Sequence, residues 1–497
     1  MKTILALFFC FAALGTPRLV PAQEASPGSE DSANEQRLKI IQYGTDAEIA
    51  NLIKTLRGER DREGEGKDQP LDEALLTLAG KTKNRTILSG VFSYFGDRER
   101  GGLENRAREA VENRDYEAVE TVNAALDYLG KVQAAGTKDI LSGILQGEES
   151  RFLPGAIRAL GKTAEKDGAA GTAEYLIDYY SNLEPGNENR GVIIEAIGNT
   201  KAKEGTGFLV SIAENEDERT PLRIAALEGL AKIADPEGLD AILTAASSKD
   251  PNVRAAAIGA MGPFSGQKTE EAIIEAFRDS YYRTRVAAAK AAGERKLAGA
   301  LPFLRFRSEN DDVPAVRDEA VKAMGAIGGA DAEKNLADLF RDRKNNDRIR
   351  INAGEALLTK ASADYTQEVI NEMDEAKLKN QTALYNGFLR VLGPVKSPKL
   401  ESLARRFFAG GGVIEKSYAL DFCSNNNFRG LADEIRKLTG PKNGNLSRKA
   451  LAILEKWGLP VESPQDSPGT PTTSAGPADG PPAPPRAGGG STEPLSN

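Results

Sequence analysis

The sequence predicts an all-α fold, a right-handed α-solenoid of about 11–12 helix-pair repeats, and three observations predict it. Six arginines, Arg190, Arg223, Arg254, Arg285, Arg317 and Arg350, recur at steps of 33, 31, 31, 32 and 33 residues. The sequence around them is alike: PNVRAAAIGAMG holds Arg254, PAVRDEAVKAMG holds Arg317 and PLRIAALEGLA holds Arg223. The chain between them is rich in alanine and leucine at helical spacing. A period near 32 in such a sequence means that each unit buries its apolar face only against its neighbours.

Read from its start, the chain opens with Lys2, an apolar run from Ile4 to Leu14, and the small residues Val20-Pro21-Ala22 before Gln23. That is the pattern of a secretory signal peptide over 1–22, so export is expected. Cys10 is a poor lipidation site, because bulky Phe9 precedes it. Residues 23–35 are polar and acidic and are expected to form a flexible lead-in. A solenoid is expected over 36–458, irregular over 58–129 with a loop at 58–69, and most regular over 190–358. Beyond it, 459–497 turns to Pro, Gly, Ser and Thr. With so few large apolar residues that tail cannot offset its ordering entropy, and a disordered tail of polyproline character is expected. No segment after the N-terminus approaches the length of apolar sequence that spans a bilayer.

Within the array each unit reads as two helices. The second ends about eight residues after its arginine, at Gly130, Gly161, Gly198, Ala231, Gly262, Gly293, Gly325, Leu358, Gly393, Ser424 and Glu455. Glycine there is expected to stop the helix by entering the left-handed region. Asp250-Pro251 and Thr220-Pro221 place a cap before a first-turn proline. Ala257, Ala260, Ala288, Ala291, Ala320 and Ala323 lie three apart on one face, where small side chains let stacked helices approach. Stacked at ~10 Å per repeat, the array is expected to be about 100–120 Å long.

The run DPNVRAAAIGAMG (250–262) and, less fully, VPAVRDEAVKAMG (313–325) resemble the HEAT-repeat family in its short bacterial form. The resemblance covers about residues 36–458. It implies curved helical scaffolds for other proteins, with the second helices on the concave side. A minority of that family are lyases or iron-binding hydroxylases. The hydroxylases use His-Glu motifs, and this chain contains no histidine, so that activity is not carried over.

Composition excludes other classes. A net charge of −8 lacks the basic face that nucleic acid requires. The absence of histidine removes the commonest general base and metal ligand. Cys423 is expected to be a small buried residue, and with Cys10 in the leader no intramolecular disulfide is expected. No cofactor or metal site is expected. Asn84, Asn380 and Asn445 open Asn-x-Ser/Thr triplets, which matter only in a glycosylating pathway.

Two columns remain. The arginines fit an anion-binding ladder or a structural one in which each guanidinium bridges acidic or carbonyl groups between repeats. Asp217, Asp250, Asp279, Asp312 and Asp347 lie just upstream as partners, and the family resemblance implies the structural role. Five residues after each arginine stand Glu195, Glu228, Gly259, Lys290, Lys322 and Glu355. These are either a solvated face or a partner-binding column that orients a protein partner by charge. Tyr175, Tyr179 and Tyr180, and Tyr281-Tyr282, are either interface anchors or packed residues. The expected function is a non-catalytic protein-binding scaffold of the periplasm or cell envelope. The alternatives are a lyase-type enzyme or its subunit, or an envelope protein tethered by its tail.

Overall fold

Alanine and leucine at helical spacing give helices, and helices this short are stable only when stacked. The computed structural model describes residues 27–59 and 69–461. The leader, most of the loop at 58–69 and the tail beyond 461 lie outside the described residues. Among the described residues, thirteen helix pairs follow one another. The first four are α1 (Pro27–Tyr43) with α2 (Asp46–Gly58), α3 (Gln69–Lys81) with α4 (Arg85–Asp97), α5 (Glu104–Glu112) with α6 (Val119–Lys131), and α7 (Lys138–Gln146) with α8 (Leu153–Asp167). Next come α9 (Ala169–Ser181) with α10 (Arg190–Asn199), α11 (Thr206–Glu214) with α12 (Thr220–Ile233), and α13 (Leu239–Ala245) with α14 (Pro251–Ala260). Then α15 (Gln267–Ala276) pairs with α16 (Tyr282–Glu294), α17 (Leu301–Asn310) with α18 (Pro314–Ile327), and α19 (Gly329–Arg341) with α20 (Asp347–Lys360). The last are α21 (Thr366–Leu378) with α22 (Thr382–Leu392), α23 (Leu400–Gly410) with α24 (Val413–Asn426), and α25 (Ala432–Arg436) with α26 (Asn445–Lys456). The described residues contain no strand.

The array is longer at its start than the sequence suggested. Helix α1 begins at Pro27, inside the stretch read as a flexible lead-in. Leu38 and Ile41 anchor its far end to the core.

One continuous core runs from Ile41 to Trp457. From α2 to α22 each even-numbered helix packs along the next, while neighbouring odd-numbered helices touch at fewer points. In a curved double row the more closely spaced helices form the inner side, so the even helices line the concave face. The alanines Ala257, Ala260, Ala288, Ala291, Ala320 and Ala323 are all buried, as their spacing predicted.

Two local expectations change. Asp250 does cap α14, accepting from the Asn252 N–H at 2.8 Å. Thr220 does not cap; it is the first residue of α12, and its hydroxyl donates to Asp250 of the next repeat. The glycines near the ends of the even helices do not enter the left-handed region. None of Gly130, Gly161, Gly198, Gly262, Gly293, Gly325 or Gly393 has a positive φ. Several mark close crossings instead. A Cβ on Gly198 would stand 2.5 Å from the Gly229 Cα, and one on Gly161 would stand 2.7 Å from the Ala196 Cα.

The ends of the array meet: α1 packs against α26 as well as against α2 and α3. The stacked array therefore curves back on itself, which its expected stacking length did not determine. Dyes at the exposed positions Lys39 and Glu455, each changed to cysteine in a chain lacking Cys10, are expected to transfer energy efficiently. An open array would hold them on the order of 100 Å apart, where transfer vanishes.

Candidate functional site

The ladder arginines stand in the first turn of the even helices and reach back toward the loop that joins the two helices of each unit. All six donate to backbone carbonyls at the end of their own odd helix or in the following loop. Arg190 reaches Pro185 O at 3.0 Å, Arg223 reaches Ala213 O at 3.0 Å and Arg254 reaches Ser248 O at 2.9 Å. Arg285 reaches Asp279 O at 3.0 Å, Arg317 reaches Asp311 O at 2.6 Å and Arg350 reaches Phe340 O at 3.0 Å. Ala213 O and Phe340 O belong to the last turn of a helix, which leaves carbonyls without an internal partner; the other four lie in the loop that follows.

Four of the six also reach a carboxylate, and it belongs to the following repeat. Arg254 grips Asp279 with two bonds of 2.7 and 3.0 Å, and Arg285 grips Asp311 with two of 2.7 Å. Arg190 lies 3.6 Å from Glu218, and Arg350 lies 2.5 Å from Glu372. The acids just upstream of each arginine thus serve the previous arginine where they serve one at all: Asp279 precedes Arg285 but binds Arg254. Burial pushes the Asp279 carboxyl up, yet the Arg254 guanidinium and the Tyr281 N–H hold it below the usual carboxylate range. Arg190 also stacks 4.4 Å above the Tyr180 ring.

The second column lies on the open side of the even helices. Glu228, Lys290, Lys322 and Glu355 are exposed, and Glu195 is half-buried. Lys290 has Glu294 at 3.7 Å and Lys322 has Glu319 at 3.4 Å on its own helix, so the basic centre of the row is partly neutralised. The row continues past the residues singled out from sequence. Each member stands three residues before the small-residue helix end, and the same count from Gly130, Gly161 and Gly393 gives Asp127, Arg158 and Arg390, all exposed. The list of helix ends already held that signal; the arginine step, used as the ruler, did not extend to those repeats.

The tyrosines are packed. Tyr180 is buried, Tyr175 and Tyr179 are half-buried, and the Tyr281 hydroxyl bonds to the Asn252 side chain at 2.9 Å. Cys423 is buried, and burial pushes its thiol up to about 12. Asn84 is occupied as the cap of α4, accepting from the Thr86 and Ile87 N–H groups. No helix of the described residues is long and apolar enough to cross a membrane. One cleft of about 340 Å³ opens on the even-helix side between α6 and α8, and Asp127 and Arg158 line it.

A family model described as Spirochaete HEAT repeat protein matches residues 41–453. No curated protein sequence matches. Among solved structures, the crystal structure of Kap121p shares 12% identity at a TM-score of 0.42, over 86% of this chain and 54% of that one. Kap121p bound to Nup53p gives 12% identity and a TM-score of 0.41 over the same shares. The chain spans about half the length of these structures.

Proposed function

We propose, from the premise that the chain belongs to the Spirochaete HEAT repeat protein family, that it is a scaffold holding a protein segment along its even-helix face. The observation that carries the reading is the exposed column. Glu228, Lys290, Lys322 and Glu355 project from packed helices in one row, with Gly259 at the position between the first two, and their signs change along it. The packed helices that carry them add little backbone ordering cost on binding, so the cost falls on the Lys and Glu rotamers. A row that runs from acidic to basic and back orients a charged partner more than it tightens the complex. The role involves no catalysis, in keeping with a chain without histidine. The site of action in this reading is the periplasm or cell envelope, supported by Lys2, the apolar run to Leu14 and the small residues before Gln23.

Affinity capture from native envelope extract tests it, with residues 23–497 as bait and a Lys290→Glu/Lys322→Glu variant as control. A protein retained by the first and lost by the second is the expected result. Equal capture by both would remove the column as the binding surface.

A further inference from the structure

The cleft between α6 and α8 gathers three cations around one opening. Arg151, Arg158 and Lys162 line it, with Asn123. None of the three cations has a carboxylate within ion-pair distance among the described residues. Arg151 lies over the Phe152 ring at 5.0 Å, and Arg158 makes one long bond of 3.4 Å to Pro154 O. The one acid in the lining, Asp127, is bonded to Lys131 at 2.7 Å. The lysines of the exposed row differ in this respect: Lys290 has Glu294 at 3.7 Å and Lys322 has Glu319 at 3.4 Å. The floor is low because two glycines make it. A Cβ on Gly155 would meet Leu126 at 3.1 Å, and one on Gly130 would meet the Ala159 Cα at 3.2 Å.

We infer that this cleft is a docking pocket for an acidic, extended polypeptide segment, whose carboxylates pair with Arg158, Lys162 and Arg151. Three uncompensated cations around a shallow floor of small residues fit a backbone lying flat with its carboxylates turned to the rim. Two of the cations are guanidinium groups, which match a carboxylate with paired bonds. Asn123 supplies an amide for a backbone group of the segment. The inference rests on the protein-binding reading and adds to it a second contact point and the partner's sign.

The test uses the whole chain and a fluorescein-labelled oligoglutamate peptide followed by fluorescence anisotropy. The expected result is saturable binding that weakens as salt rises. Arg158→Glu/Lys162→Glu is expected to weaken it roughly tenfold to a hundredfold. Arg158→Lys/Lys162→Arg is expected to retain most of it. Lys268→Glu/Lys334→Glu, on the odd helices, is expected to leave it unchanged, with circular dichroism checking that each variant is folded. Absence of binding, or an equal loss in the odd-helix variant, would overturn the inference. So would a single-stranded RNA that displaces the peptide and binds more tightly. If Lys290→Glu/Lys322→Glu abolishes capture of a native partner while Arg158→Glu/Lys162→Glu leaves peptide binding intact, the scaffold reading stands and this pocket does not.

Discussion

Asp311→Ala is expected to destabilise the middle of the array by about 3–5 kcal/mol, the range for breaking a buried ion pair from one side. The side chains of Asp311 and Arg285 are 0% and 6% exposed. Asp311 accepts twice from Arg285 at 2.7 Å, once from Arg307 at 3.3 Å and once from the Val313 N–H at 3.0 Å. Alanine removes all four bonds and leaves a guanidinium in the core. Its remaining acid, Asp312, is 85% exposed, and water screens that contact. Asp312→Ala is therefore the natural comparison, with an expected change within about 0.5 kcal/mol. Repeats unfold piecewise, so a single global free energy is the wrong observable. Hydrogen exchange is the right one: amides of α16 and α18 are expected to lose protection in Asp311→Ala and keep it in Asp312→Ala. Equal behaviour of the two variants would mean that the pair contributes nothing specific.

The same pair sets an acid limit. Burial pushes the Asp311 carboxyl up, but the Arg285 bonds and the Val313 N–H bring it below its ordinary value. A group depressed in the folded state contributes stability that is fully present above its unfolded pKa of about 4. That contribution is lost as pH falls through the lower folded value. Protection of α16 and α18 is thus expected to fall below about pH 4 in the natural chain. In Asp311→Ala this part of the acid response is expected to be missing.

What the sequence disclosed and what it hid divide along a physical line. The arginine step and the alanine spacing are local patterns, and they located the helices, the buried stripe and the exposed row. Bridging between repeats was expected from the family resemblance, but which acid each arginine meets was not legible. Arg254 and Arg285 meet acids 25 and 26 residues later in sequence, and nothing in the local pattern says that the loop of the next repeat turns toward them. The extension of the exposed row to Asp127 and Arg158 was hidden for a different reason. Those repeats lack the ladder arginine, and only the helix-end residues keep the register. The meeting of α1 with α26 was out of reach altogether. It sums a small rotation over thirteen repeats, and no single residue carries that angle.

Gly198→Ala and Gly259→Ala are expected to act in opposite directions, and the pair separates two accounts of the glycines. Both residues are helical with ordinary φ, in α10 and α14. Intrinsic propensity alone favours alanine at each, by about 1 kcal/mol. At Gly259 nothing lies within 4 Å of the position a Cβ would take. There the propensity gain is expected to survive, as roughly 0.5–1 kcal/mol of added stability. At Gly198 the new carbon would stand 2.5 Å from the Gly229 Cα. A side-chain tip can swing away, but this neighbour is backbone, so α10 and α12 must separate. Forcing a methyl group into a packed contact costs about 1–3 kcal/mol, enough to outweigh the propensity term. Because each repeat leans on its neighbour, the loss falls on the interface that couples the first five units to the rest. Urea unfolding of Gly198→Ala is expected to begin earlier and to split into two steps, while that of Gly259→Ala shifts later as a whole. Stabilisation by both substitutions would return these glycines to a local role at the helix end. Opposite signs would establish that glycine is placed in this array where two backbones touch.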